Sequence, residues 1–180
     1  KRIIHAFAEA GPEDKIFMAK WDIKDGFWRL RCREGEEWNF CYVLPQEEGE
    51  PVRLVVPTSL QMGWIESPPY FCTASETARD VATQYCETPV GTLPTHKFER
   101  WTQEEEAVGE NGEEAFRYIL EVYVDDFMSL VIPTSAADLR HVATATMMGI
   151  HDVFPEEEED EEDPISLKKL KKKEGQYSTR

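Results

Sequence analysis

Residues 116–132 constrain this chain more than any other stretch. Phe116 to Val124 and Phe127 to Ile132 are two apolar runs of strand composition, separated only by Asp125-Asp126. Two such runs joined by a two-residue polar turn read as a hairpin, so an antiparallel sheet is expected at the centre of the fold. Ile16 to Ile23 reads as a further strand, with Phe17, Ala19 and Trp21 alternating with Met18, Lys20 and Asp22. Trp38–Leu44 and Val52–Val56 also have strand composition, with a polar turn around Glu34–Glu37 before them and a loop at Gly49-Glu50-Pro51 between them.

Helical segments alternate with these strands. A short helix from Ile3 to Glu9 is stopped by Gly11-Pro12. A longer one starts after Ser67-Pro68, since proline suits the first helical position, and runs to about Tyr85. Its apolar residues Phe71, Ala74, Ala78, Val81, Ala82 and Tyr85 recur at spacings of three and four. Ser135 to Met148 forms another helix, capped by Ser135 or Thr134 with Asp138 in its first turn. Residues 88–115 mix Pro, Gly and Glu and read as an insertion. Strand, helix, hairpin, helix is the order of an α+β layer fold, an antiparallel sheet with helices on one face. A last strand near the C-terminus would complete a ferredoxin-like βαββαβ core.

Composition adds limits. The 180 residues suit one domain. No stretch approaches the roughly 18 apolar residues of a membrane span, and Lys1 opens no signal peptide, so no membrane partner is expected. Cys32, Cys41, Cys72 and Cys86 are scattered without a CxxC pair, which reads as reduced thiols in an intracellular protein, cytoplasmic or nuclear. Without a start methionine the chain reads as an excerpt of something longer.

A net charge of −16 argues against a nucleic-acid partner. Much of it is local, however. The eight carboxylates of Glu156–Asp163 alone take it from −16 to −8, and Glu104–Glu106 with Glu110, Glu113 and Glu114 add a second acidic cluster. Such blocks are usually solvated. Lys168, Lys169, Lys171, Lys172 and Lys173 follow, read equally as a counterweight to the acidic run or as a phosphate-contacting strip.

The chemistry centres on Tyr123-Val124-Asp125-Asp126. An Asp-rich turn is ordinary by itself. Asp22, however, ends another apolar strand and Asp25 follows in a turn, and several carboxylates at strand ends suit a site for two hard cations that transfers phosphoryl groups.

Three segments extend this to a family resemblance. Trp21-Asp22-Ile23-Lys24-Asp25-Gly26-Phe27-Trp28-Arg29-Leu30 resembles the first catalytic palm motif of reverse transcriptases from retroviruses and LTR retroelements. Leu60-Gln61-Met62-Gly63-Trp64-Ile65-Glu66-Ser67-Pro68 resembles the second, and Tyr123-Val124-Asp125-Asp126 is similar to the YxDD box, all in the family's order. The resemblance covers residues 1–150. It implies a partial polymerase palm there, an acidic linker or insertion at 151–164, and at 165–180 a basic segment that opens the next palm motif.

The resemblance further implies an RNA-directed DNA polymerase that adds deoxynucleotides to a primer 3′-OH with two Mg²⁺ ions, Mn²⁺ being an alternative. Asp22 and Asp125 match the metal-bridging carboxylates and Asp126 the third, while the Ile23 carbonyl supplements the metal shell. Asp25 and Gly26 match backbone contacts to the triphosphate, and Phe27 the aromatic gate against a ribose 2′-OH. Met62 and Gly63 lie along the nucleotide or template, and Tyr123 flanks the primer end. Implied partners are an RNA or DNA template with its primer, deoxynucleoside triphosphates, and the fingers, thumb and RNase H of a polyprotein.

The chain also departs from the pattern. Gln61-Met62 replaces the usual Pro-Gln or Pro-Phe, and Met62 lacks the amide of a Gln. Gly26 stands where Ala is common. Only 21 residues precede Asp22, too few for the fingers strands, and one of Lys168–Lys173 falls in the region of the family's general-acid lysine. The alternative is a truncated, inactive retroelement remnant, or an acidic interaction module carried by Glu156–Asp163.

Overall fold

The computed structural model describes residues 2–12, 14–99, 116–154, 156 and 163–166. The expected insertion beyond residue 99, the interior of the acidic run and Lys168–Lys173 lie outside the described residues.

Among the described residues, three helices and a small antiparallel sheet make an α+β fold. In chain order they are α1 (Arg2–Glu9), β1 (Phe17–Asp22), β2 (Tyr42–Val43), β3 (Leu54–Val55), α2 (Ser67–Cys86), β4 (Arg117–Tyr123), β5 (Asp126–Ile132) and α3 (Ala136–Val153). The main sheet has the order β1-β5-β4, antiparallel throughout, and β2 pairs with β3 in a separate two-stranded sheet. Ile165 adds one antiparallel bridge to Ile23, on the edge of β1 away from β5.

Trp21 on β1 and Phe127 on β5 pack with Phe71 and Ala78 of α2, Met147 and Ile150 of α3, Phe154 and Ile165. The two helices meet at Gly149, where a Cβ would fall 2.6 Å from the Ala78 carbonyl oxygen and the Ala82 nitrogen. Only hydrogen fits there. The Asp138 carboxylate accepts the N–H groups of Thr134 and Ser135 at 2.8 Å each and closes the first turn of α3.

The structure corrects four expectations. Helices do not cover one face alone: Arg2 of α1 pairs with Glu121 at 2.6 Å, and Ile3 lies by Met18, Ile119, Met128 and Leu130 on the opposite face. The reason is legible in β5, whose Leu130 and Ile132 face away from α2 and α3 and still need cover. Trp38–Leu44 is mostly not strand, because Glu37–Phe40 forms a 3-10 turn and only Tyr42–Val43 pairs. The hairpin turn is Val124-Asp125, since Asp126 is already paired with Tyr123. Finally, α3 runs on to Val153, with Phe154 buried behind it, rather than ending at Met148.

Candidate active site at the hairpin turn

Strand register assembles the carboxylates. Asp22 lies directly opposite Asp126, and Tyr123 opposite Asp126 on its other side. Facing residues of antiparallel strands share a face, so all three project away from α2 and α3. One residue further on, the Ile23 N–H donates to the Asp125 carbonyl at 3.1 Å. The backbones of two segments 103 positions apart (125 − 22) therefore meet at the turn.

Backbone strain concentrates here. Among the described residues, the non-glycine positions with positive φ are Asp25 (55°) and Val124 (57°). Asp tolerates that region, but for a β-branched residue such as Val it is a genuine outlier. Strain of about 1–3 kcal/mol per residue persists only where surroundings enforce it, and it gathers at functional sites.

Electrostatics add to this. Asp22 is buried, at 7% exposure, and faces Asp126, a like-charge pair that costs stability. Lys20 offsets part of it with an ion pair to Asp126 at 2.7 Å, and Lys24 lies 4.0 Å from Asp25.

Gly26 lies within the same cluster. A Cβ on it would sit 2.9 Å from Phe71 Cζ and 3.6 Å from Asp125 Cβ, so the Phe71 ring fills the space an alanine would use. Phe27 is half-buried and tilts against Phe71, ring centroids 5.1 Å apart. Tyr123 is 74% exposed. Met62 and Gly63 stand on a separate loop, Met62 exposed and Gly63 at φ 94°. That loop joins the region through the Leu60 N–H, which donates to Leu30 at 2.9 Å. Thus Asp22, Ile23, Asp125, Asp126, Tyr123 and Gly26 are gathered at one end of the sheet. Phe27 is joined to them by packing, and Met62 and Gly63 only by the loop.

A second cluster escaped sequence reasoning. The Phe98 N–H donates to His96 Nδ1 at 3.2 Å, which leaves the His96 proton on Nε2. That nitrogen donates to His151 Nδ1 at 3.0 Å, and His151 Nε2 in turn donates to Asp163 at 3.0 Å. Lys97 pairs with Asp163 at 2.7 Å and with Glu156. Burial, and then His151, lower the pKa of His96. Burial works against the charge on Asp163, but bonds from Lys97, the Ile165 N–H and His151 outweigh it and hold that carboxyl below its ordinary value. Bonds to Asp163 and Glu156 push Lys97 up.

The Glu156–Asp163 run, expected to be solvated, is therefore held at both ends, Glu156 by Lys97 and Asp163 by Lys97 and His151. Its interior, 157–162, lies outside the described residues. Like charges do repel along the run, but the ends find Lys97 and His151, 59 and 12 positions away. No signal in local composition marks that meeting. Among the described residues, the group of three whose ligand atoms all come within 4.8 Å of one another is His151, Glu156 and Asp163, not the carboxylates of the turn. A lysine ammonium already pairs with these carboxylates, as Lys20 does with Asp126 at the turn.

Compared with models of known protein families and with curated proteins, the sequence gives no match.

Proposed function

We propose that this chain is the palm core of an RNA-directed DNA polymerase, with Asp22, Asp125 and Asp126 as its catalytic carboxylates. One observation carries the reading. The three motifs that resemble reverse transcriptase segments are distant in sequence, yet two of them carry Asp22 and Asp125-Asp126, which lie together at one strained turn. The strand order β1-β5-β4 with α2 and α3 behind it supports a ferredoxin-like palm, Ile165 standing where its fourth strand runs.

In this reading the residues divide the work. Asp22 and Asp125, with the Ile23 carbonyl, would hold two Mg²⁺ ions (or Mn²⁺), and such ions would supply Lewis-acid activation of a primer 3′-OH and charge stabilisation for a leaving pyrophosphate. The oxygen-only donor set suits such hard cations. The Asp25 and Gly26 backbone receives the triphosphate. Phe27 excludes the ribose 2′-OH, backed by Phe71 so that its ring cannot retreat. Met62 and Gly63 flank the nucleotide, and the exposed Tyr123 the primer end.

The test is primer extension on a primed RNA template by the chain together with its native flanking sequence. Wild type is expected to extend with deoxynucleotides and Mg²⁺, and Asp125→Asn to lose about a thousandfold in rate, because metal-assisted transfer depends on that charge. Extension by Asp125→Asn at the wild-type rate, or none by wild type, sinks the proposal.

A further inference from the structure

The C-terminal end of the described chain is stitched to the strand that carries Asp22. The Ser166 N–H donates to the Asp22 carbonyl at 2.9 Å, and the Lys24 N–H donates to the Pro164 carbonyl at 2.8 Å. Ile165 bridges to Ile23 between these bonds and is itself 1% exposed. Arg29 spans the same gap, donating to the carbonyls of Lys24 at 2.8 Å and Asp163 at 2.9 Å. The backbone at Asp22 is thus held on both edges, by β5 on one and by residues 163–166 on the other.

The Asp163 side chain ties that segment to α3 and to the loop at 96–99. The Asp163 carboxylate caps its own segment by accepting the Ile165 N–H at 2.8 Å. The same carboxylate accepts His151 from the last turn of α3 and pairs with Lys97. His151 is oriented in turn by His96, and the loop bearing His96 and Lys97 is fastened to α3 where Thr144 donates to Glu99 at 2.7 Å. Every bond in this chain has one direction of donation, so Asp163 has a fixed place.

Resting on the polymerase reading above, we propose that Asp163 is a positioning residue for Asp22. Pinned by His151 and Lys97, it holds residues 163–166 as the outer partner of β1 and so fixes the direction of the Asp22 carboxylate. Partners one step behind a metal-binding group orient it, and their loss typically costs about 10–100-fold in metal affinity or activity. Asp163 touches neither substrate nor metal in this scheme, and its effect passes through the backbone.

The experiment compares Asp163→Ala, Asp163→Asn, His151→Gln and Lys97→Met with wild type, each with native flanking sequence. Primer extension is read as kcat, as KM for template-primer and as the Mg²⁺ concentration for half-maximal rate. Amide exchange at Lys24 and Ser166 is read in parallel. Asp163→Ala is expected to lower kcat about tenfold or more and to raise the Mg²⁺ requirement, with KM for template-primer unchanged. Asp163→Asn, which keeps an oxygen for Ile165 and His151, recovers part of both. The Lys24 and Ser166 amides exchange faster in Asp163→Ala. Wild-type kcat and Mg²⁺ dependence in a folded Asp163→Ala overturn the proposal. If that variant does not fold, unchanged values in both His151→Gln and Lys97→Met overturn it instead. Unchanged exchange at Lys24 and Ser166 refutes the pin whatever the activity. A wild type that extends nothing while Asp163→Ala loosens those amides overturns the polymerase reading and the catalytic role, and leaves the pin standing.

Discussion

The hairpin turn and the histidine clasp are both clusters of charge, and they are built in opposite ways. At the turn, carboxylates face one another across strands, and the backbone holds Asp25 and Val124 in positive φ. At the clasp, His96, His151, Asp163, Lys97 and Glu156 are matched donor to acceptor and cation to anion. A fully matched network rigidifies what it joins. Like charges kept close by a strained backbone lower stability and persist for another reason. The turn therefore has the signature of a site, and the clasp that of a fastening.

The largest effect that separates the two is expected at Asp22. Asp22→Asn removes the buried carboxylate that faces Asp126 across the strands. Its extension rate falls about a thousandfold. Millimolar Mg²⁺ raises the wild-type melting temperature and leaves that of the variant unmoved. A variant that extends at the wild-type rate breaks the contrast.

Next comes the gate. In Phe27→Ala the ratio of kcat/KM for ribonucleotides over deoxynucleotides rises at least about tenfold, while deoxynucleotide addition partly survives. An unchanged ratio assigns the ring to core packing against Phe71 alone.

A smaller effect measures the strain. Alanine normally outperforms glycine by about 0.5–1 kcal/mol. At Val124 the order reverses, with Val124→Gly more stable than Val124→Ala by about 1 kcal/mol in urea melts, because only glycine is at ease at that φ. Equal or inverted stabilities mean that the turn relaxes in solution.

The smallest effect is the clasp's response to acid. His96 has a folded pKa below its ordinary 6.5, so the unfolded chain binds more protons as the pH drops below that value. Stability then falls as pH descends through the ordinary value towards the folded one. Asp163 is likewise depressed from 3.8, and its contribution is lost as pH falls through its folded value. Urea midpoints for wild type are expected to drop between about pH 7 and about pH 5 more than those for His96→Gln. Parallel slopes for the two proteins would remove His96 from the account.

Local sequence determined much of the frame. The apolar runs around Asp125-Asp126 set the hairpin, the alternation from Phe17 to Asp22 set which side of β1 faces the core, and the stripe from Phe71 to Ala82 set the buried face of α2. The carboxylates were legible because adjacent acidic residues between apolar strands are costly and conspicuous. Exact turn position was not, since Val124 at positive φ runs against local preference and only the register of β4 and β5 imposes it.

Cover for the second face of the sheet was hidden for a related reason. The apolar run of β5, broken only by Ser129, signals burial on both faces but not what provides it, and α1 does so from over a hundred positions away. The clasp was least visible of all. His96, Lys97, His151 and Asp163 read singly as surface residues of a loop, a helix end and an acidic run. Residue type and spacing determined the strands, helices and carboxylate turn, because those depend on neighbours within a few positions. Only tertiary structure decided that α3 ends beside residue 163, and only then did a histidine and a lysine find the carboxylate that ties this segment to Asp22.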